Sequence, residues 1–169
     1  MSKTLYLVRH AKSSWSDPSL SDRDRPLNKR GRRSAPDMGS RLAARGHRPD
    51  LIISSPAKRA LMTAKIIAKK LDYAKSDIVT DEGMYFSGVG GMAKMLERVD
   101  DSYQKVMIVG HNPAMTSLMN RLSGKDVYNM PTCAIAIIGY DMASWSDLRS
   151  ERGNLIEYDF PKNKEGSQV

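Results

Sequence analysis

Apolar residues occur along the chain in short unbroken runs that alternate with longer amphipathic segments. Runs such as Leu5–Val8 and Val106–Val109 lack the apolar–polar alternation of a half-exposed strand, and they are typical of strands buried on both faces of a sheet. The strands predicted in this way are Leu5–Val8, Asp50–Ser54, Ile78–Val79, Lys105–Val109, Ala134–Ile138 and, at the edge of the sheet, Asn154–Asp159.

The amphipathic segments carry apolar residues three and four positions apart and predict helices. The first begins at a cap on Asn28 and stops at Gly46, and Pro36 inside it must kink the helix or mark a restart. Two others begin with an N-cap residue followed by proline, at Ser55-Pro56 and at Asn112-Pro113. A further helix starts near Met92, after a segment that we predict to be a glycine-rich loop, Gly83 to Gly91.

Strands that alternate with helices through short connections predict a mainly parallel sheet covered on both faces. We therefore expect an α/β fold, a three-layer α/β/α sandwich. The length suits one domain, which we place at residues 1–161, with a polar, disordered tail at residues 162–169. Because no apolar run approaches membrane-spanning length and no signal-like segment precedes the first strand, we predict a soluble protein of the cytoplasm without a membrane partner.

The formal net charge is +8, and it is unevenly distributed. From Ser21 to Arg48 there are nine lysines and arginines against three aspartates, which gives this segment +6. Such a segment is a solvated helix face or a docking surface for an acidic partner. Nucleic acid is the less favoured partner, because the chain has no zinc-finger spacing and no RNA-recognition aromatic motif.

Basic side chains stand where three of the predicted elements meet one edge of the sheet. Arg9 and His10 follow the first strand directly, His111 follows the fourth, and Arg59 falls in the first turn of a helix. The carboxyl ends of parallel strands form the ligand crevice of open α/β sheets, and helix N-termini attract anions. Two arginines and two imidazoles that converge there predict a pocket for a dianion such as a phosphoryl group.

No metal or other cofactor is predicted. The two histidines lack carboxylate or cysteine partners at recognisable ligand spacing, and the lone Cys133 has no Cys or His neighbours. We interpret Cys133 as a small buried residue.

Three motifs, in order, make the chain recognisable. Leu7-Val8-Arg9-His10, Ser54-Ser55-Pro56-Ala57-Lys58-Arg59 and Val109-Gly110-His111-Asn112 together resemble the histidine phosphatase superfamily, whose fold is phosphoglycerate-mutase-like. Small size, the absence of a helical cap insertion and the run Asp24-Arg25-Pro26-Leu27-Asn28 resemble most the SixA-type branch of phosphohistidine phosphatases.

The resemblance implies roles for individual residues. His10 would be the nucleophile that is transiently phosphorylated, and Arg9, Arg59 and His111 would bind the phosphoryl group. Asn112 would add a contact, and Ser16 stands where many members place a phosphate-binding asparagine.

Glu82 resembles the superfamily's general acid in its position, and the SixA branch often lacks that residue. Asp17 and Asp24 are alternatives, and a dedicated acid is the less needed when the leaving group is an imidazole.

The resemblance implies a metal-independent phosphatase that acts through a phosphohistidine intermediate. Its substrate would be phosphohistidine on a signalling phosphotransfer protein, and an open pocket without a cap suits such a partner. Two alternatives stay open at this point: a phosphatase of small-molecule phosphate esters, and a noncatalytic phospho-binding module.

Overall fold

Strand β1 (Ser2–Arg9) lies inside a six-stranded sheet of order β3-β2-β4-β1-β5-β6 in the computed structural model, which describes residues 2–163. The other strands are β2 (Leu51–Ser54), β3 (Val79–Thr80), β4 (Lys105–Gly110), β5 (Ile135–Asp141) and β6 (Asn154–Asp159). The helices are α1 (Lys29–Ala44), α2 (Lys58–Lys70), α3 (Gly83–Phe86), α4 (Gly88–Glu97) and α5 (Ala114–Ser123).

The sheet is mainly parallel, as predicted. β1 pairs in parallel with β4, which pairs in parallel with β2, and β2 pairs in parallel with β3. β5 is antiparallel to both of its neighbours, β1 and β6. Among the strands of residues 2–163, β5 alone therefore runs against the common direction, and β6 is an edge strand as expected.

Helices cover both faces of the sheet, so the three-layer α/β/α prediction is confirmed. Successive side chains of a strand point to opposite faces, and Leu5 and Leu7 of β1 belong to a buried cluster with apolar residues of α4 and α5. Tyr6 and Val8 belong to a second cluster, with apolar residues of α1 and α2. Burial on both faces is what the uninterrupted apolar run of β1 predicts.

The predicted cap on α1 is confirmed, because the Asn28 side chain accepts the Gly31 N–H at 2.8 Å. Pro36 lies inside this helix, which is continuous from Lys29 to Ala44, so Pro36 does not mark a restart. Gly46 follows the helix with a φ of 79°, a conformation that glycine adopts without strain.

The starts of α2 and α5 were predicted too early. α2 begins at Lys58, and the Ser55 hydroxyl accepts the Ala57 N–H at 3.2 Å in a turn that precedes the helix. α5 begins at Ala114, and the Asn112 side-chain oxygen accepts the Thr116 N–H at 3.2 Å. Both side chains stabilise the residues just before or at the start of a helix, but neither is the N-cap residue, which is Ala57 in α2 and Pro113 in α5.

The prediction of a glycine-rich loop over Gly83 to Gly91 is wrong. α3 and the start of α4 occupy this segment, and Gly88, with a φ of 63°, stands at the beginning of α4. A Cβ on Gly91 would lie 2.0 Å from Cβ of Ser87, so the glycine at this position serves close packing between the two short helices.

The predicted tail begins at residue 162, but residues 162 and 163 are part of the structure. Asn163 is buried, and its backbone oxygen accepts a hydrogen bond from the Arg41 guanidinium at 3.0 Å. Residues 164–169 of the predicted tail lie outside the described residues. No helix within residues 2–163 is both long enough and apolar enough to cross a membrane.

Candidate active site

Two histidines leave the sheet side by side because their strands are parallel neighbours. Arg9 of β1 is in register with Gly110 of β4, and each strand is followed directly by a histidine. The backbone N–H of His10 donates to the Gly110 oxygen at 3.0 Å. The ring centroids of His10 and His111 are 5.1 Å apart, with their planes tilted by 58°.

The His10 ring is held in one tautomer. It is 8% exposed, and its Nδ1 lies 2.7 Å from the backbone oxygen of Ala11. Because a carbonyl oxygen only accepts, Nδ1 carries the ring proton and Nε2 keeps its lone pair. Burial lowers the pKa of His10 to about 3, and the nearby charges of Arg59 and Arg9 act in the same direction. The ring is therefore neutral at pH 7, with the lone pair of Nε2 available.

His111 is held by a hydroxyl of the β2–α2 turn. Its Nε2 lies 2.7 Å from Oγ of Ser55, which also accepts the Ala57 N–H. A hydroxyl can accept two hydrogen bonds and donate one, and Nε2 is the acceptor available to the Ser55 proton within residues 2–163. This arrangement leaves the His111 ring proton on Nδ1. Nδ1 is buried and has no hydrogen-bond partner among residues 2–163. Burial lowers the pKa of His111 to about 4.

Arg59, which is buried, and Arg9, which is half-buried, each have a buried side-chain nitrogen without a hydrogen-bond partner among residues 2–163. Arg59, in the first turn of α2, donates to the backbone and side-chain oxygens of Asp22 at 2.6 and 3.0 Å. Arg9 donates to the backbone oxygen of Met130 at 2.8 Å. The Nε atoms of both arginines are buried without a partner in the described part of the chain. Buried polar atoms are normally paired, so these nitrogens are suited to a bound anion.

A pocket of about 240 Å³ lies over these residues. Its walls are formed by Arg9, His10, Lys12, Ser13, Trp15, Arg25, Arg59, His111, Asn112 and Thr132. Four of these side chains are cationic and none is a carboxylate, so the pocket favours a ligand with more than one negative charge.

Arg25 is one of the pocket residues that the sequence did not single out. It is 8% exposed, donates to Oγ of Ser13 at 2.8 Å and lies over the ring of Trp15, 3.5 Å from the ring centroid. The sequence clue to Arg25 is the Asp24-Arg25-Pro26 run, which belongs to the resemblance to the SixA-type branch but carries no predicted role for Arg25. Asp22, also missed, receives hydrogen bonds from Arg25, from Arg59 and from the Tyr85 hydroxyl.

Asp22 bonds to two arginines of the pocket, Arg25 and Arg59, and its pKa is lowered. The Tyr85 hydroxyl, 2.5 Å away, is the main cause that lowers the pKa of Asp22 to about 2, and Arg59 contributes. A group with this pKa carries no proton to donate at pH 7.

Glu82 and Ser16 are not placed in the pocket. Both oxygens of Glu82 accept from Arg23, at 3.0 and 2.8 Å, and 63% of its side chain is exposed. That ion pair lowers the pKa of Glu82, which makes it a poorer acid. Ser16 is exposed, and its hydroxyl bonds to that of Ser14 at 2.8 Å.

The other two candidate acids, Asp17 and Asp24, also bond to neighbouring loop residues and do not line the pocket. Asp17 accepts from the Ser19 backbone and hydroxyl, and Asp24 accepts from Ser21 at 3.0 Å.

Asn112, by contrast, lines the pocket, although its side-chain amide donates to Met130 and Asn129. Within residues 2–163, no group of three or more His, Cys, Asp or Glu side chains is placed to hold a metal ion.

The sequence profile of the histidine phosphatase superfamily (branch 1) matches residues 5–85. A chloroplastic protein of Arabidopsis thaliana, itself uncharacterised, is 32% identical over 155 residues, which cover 87% of this chain and 71% of the relative. The chain belongs to the histidine phosphatase superfamily.

Solved structures place this histidine phosphatase within the SixA-type branch. A protein of Agrobacterium tumefaciens, proposed to be the phosphohistidine phosphatase SixA, is 29% identical, with a TM-score of 0.79 over 94% of this chain and 98% of that one. The protein histidine phosphatase SixA bound to tungstate shares the fold at 21% identity and a TM-score of 0.80, over 95% and 98% of the two chains. The predicted family and branch are confirmed.

A sequence relative supports the same class of chemistry. An uncharacterised phosphatase of Bacillus subtilis, PhoE, is 29% identical over 71% of this chain and 77% of its own length. Together with the family, it supports phosphatase activity for the cationic pocket around His10.

Proposed function

We propose that this protein removes phosphate from phosphohistidine on another protein, through a phosphorylated His10. Nε2 of His10 attacks phosphorus, and the bond from phosphorus to the substrate imidazole nitrogen breaks. The electron pair stays on that imidazole, which takes a proton from water. Water then attacks the phosphorus carried by Nε2, the phosphorus–Nε2 bond breaks, and inorganic phosphate leaves.

The donors around His10 stabilise this transfer. Arg9, Arg59 and Nδ1 of His111 hold the phosphoryl oxygens, and Arg25 adds a fourth group on the Trp15 side of the pocket. These groups are fixed before the substrate arrives, because each is anchored by a hydrogen bond to the protein. Preorganised donors of this kind lower the barrier where charge redistributes.

The observation that favours phosphohistidine over a phosphate ester as the substrate is the lack of a proton-donating carboxylate among the described residues of the pocket. Among residues 2–163 no carboxylate lines the pocket, and Asp22 and Glu82 outside it have pKa values lowered by their partners. An alkoxide leaving group needs a proton from a positioned acid. An imidazole accepts a proton readily from water, so phosphohistidine is the substrate that this set of residues serves best.

The experiment measures phosphate release from a phosphohistidine-bearing phosphotransfer domain, with a chelator present throughout because we propose that no metal takes part. We expect release by the wild type, none by His10→Ala, and an acid-labile phosphate on the wild-type chain alone. His47→Ala is the matched control, since His47 bonds to Tyr6 and Glu157 outside the pocket.

Three results would overturn the proposal. Equal release by His10→Ala would remove His10 as the nucleophile. Faster turnover of sugar phosphates than of the phosphohistidine protein would favour an ester phosphatase, and tight phosphate binding without turnover would favour a binding module. The cytoplasmic location and the domain limits at residues 1–161 stay predictions.

A further inference from the structure

The positive charge of helix α1 is neutralised toward the end of the helix and has no ion pairs at its beginning among the described residues. Toward the end of α1, Arg41 pairs with Asp37 and Asp159, and Arg45 pairs with Glu157 and Asp159. Lys29, Arg30, Arg32 and Arg33, at the beginning of the same helix, have no ion pair within residues 2–163.

Cations at this end of a helix are electrostatically unfavourable. The N-terminal turn carries the positive end of the helix dipole, which favours carboxylates there. Four basic residues within five positions therefore raise the local positive potential, and no ion pair within residues 2–163 compensates for it. A site with this potential favours an anion.

A groove of about 250 Å³ begins beside these cations and adjoins the phosphate pocket. Arg30 and Ser34 of α1 form one wall, and Phe160, Pro161 and Lys162 form the other. Pro131 and Thr132 complete the lining, and Thr132 lines the phosphate pocket as well. We call this the side groove. A ligand whose phosphoryl group lies over His10 can extend into it past Thr132.

The lining of the side groove defines its occupant. Arg30 and Lys162 are cationic, Ser34 and Thr132 supply hydroxyls, and Phe160 and two prolines offer apolar contact; none of the described lining residues is a carboxylate. A carboxylate on a short aliphatic stem meets all of these groups, with its oxygens on the cations and its methylenes on the ring of Phe160.

We propose that the side groove binds an acidic side chain, aspartate or glutamate, on the surface of the protein that carries the phosphohistidine. This inference rests on the proposed function and specifies its partner. The groove makes that partner a folded protein whose phosphorylated histidine has a carboxylate beside it.

The test reverses both charges in Arg30→Glu/Lys162→Glu and uses two substrates. One is a phosphohistidine-bearing phosphotransfer domain, and the other is phosphoramidate, which has a nitrogen–phosphorus bond and no acidic side chain. We expect kcat/KM for the protein substrate to fall at least tenfold, chiefly through KM, and its dependence on salt to weaken. Turnover of phosphoramidate should stay unchanged.

Lys69→Glu/Lys70→Glu is the matched control, because it makes the same change of charge at exposed positions at the end of α2. Unchanged kcat/KM for the protein substrate in the groove variant would overturn the side groove as a subsite. An equal loss with phosphoramidate would also overturn it, since the residues would then support the phosphate pocket. A random-sequence oligonucleotide that binds the wild type and not the variant would assign these cations to nucleic acid instead.

The two substrates also distinguish failure of the proposed function from failure of the side-groove proposal. A wild type that turns over neither substrate rejects both proposals together. A wild type that releases phosphate from the protein, with a groove variant that does so equally well, rejects the side groove alone.

Discussion

Oγ of Ser55 lies 2.7 Å from Nε2 of His111, and this contact joins the turn before α2 to the end of β4. The serine hydroxyl accepts the Ala57 N–H at the same time. Donation to His111 is the arrangement that also pairs the hydroxyl proton, and it puts the proton of the imidazole on Nδ1, the buried nitrogen without a partner in the described chain. Ser55 is a positioning residue that decides which way His111 can donate.

Ser55→Ala should lower kcat for phosphohistidine about tenfold, roughly the effect of one hydrogen bond, with a smaller change in KM. The ¹⁵N chemical shifts of His111 should move from the Nδ1-protonated tautomer toward a mixture of both. Ser55→Thr keeps a hydroxyl and should restore most of the activity.

Ser54→Ala is the control for this prediction, because it removes a buried hydroxyl that bonds only to a backbone oxygen. Unchanged ¹⁵N shifts in Ser55→Ala would show that Ser55 does not set the tautomer.

The two pocket histidines, His10 and His111, should make the folded protein less stable in acid. Burial lowers the pKa of His10 to about 3 and that of His111 to about 4, below the ~6.5 of an exposed histidine. As the pH falls from 6.5 toward 4, the unfolded chain takes up protons that the folded chain does not. The free energy of unfolding should therefore fall by up to about 1.4 kcal/mol per pH unit for each histidine.

Urea unfolding at pH 7 and pH 5 measures this loss. In His10→Asn/His111→Asn neither position titrates, so the loss of stability between the two pH values should be smaller than in the wild type. An identical loss in both proteins would mean that the two rings are protonated in the folded state as easily as in the unfolded one.

Glu82→Gln should leave turnover of phosphohistidine within about twofold of the wild type, because Glu82 pairs with Arg23 and does not line the pocket. His111→Ala, measured alongside, should lower kcat at least a hundredfold, which is typical for removal of a transition-state donor. A loss in Glu82→Gln as large as that in His111→Ala would restore Glu82 as the general acid.

Asp22→Asn should strengthen inhibition by inorganic phosphate. The Asp22 carboxylate bonds to Arg59 and Arg25, and it opposes a second anion on the same guanidinium groups. Because about half of the side chain is exposed, solvent screens this repulsion, and we expect a gain in affinity of about threefold. Asp17→Asn is the control, since its carboxylate bonds to Ser19 and to no arginine. Weaker phosphate binding in Asp22→Asn would assign Asp22 the opposite role, that of holding Arg59 in place.

The sequence predicts the frame of this molecule well because burial leaves a regular signal. The apolar runs of β1 and β4 are buried on both faces, and the Asn28 cap forms as predicted. The helix starts at Ser55 and Asn112 were missed because the same side chains that cap helices also close the turns before them.

The candidate site was predicted where it lies on strand ends and was missed where it lies on loops. His10 and His111 follow adjacent strands, but their adjacency depends on the strand order, which periodicity does not contain and the family resemblance supplied. Glu82 and Ser16 were predicted to belong to the site because of their positions in the family motif. In the structure their side chains bond to Arg23 and Ser14 and do not line the pocket. Arg25 looked like one of nine cations in a basic segment, and only the folded chain separates it from the rest.

The parallel pairing of β1 with β4 divides the work of the molecule between two kinds of structure. The positions of the two imidazoles follow from the hydrogen-bonded register of β1 and β4, while the side groove is lined by residues at the beginning of α1 and after β6. Insertions and substitutions in those peripheral segments can therefore change the choice of partner while the distance between the two imidazoles stays the same. Natural or engineered changes in these segments can therefore alter which partner protein is bound and leave the two imidazoles in place.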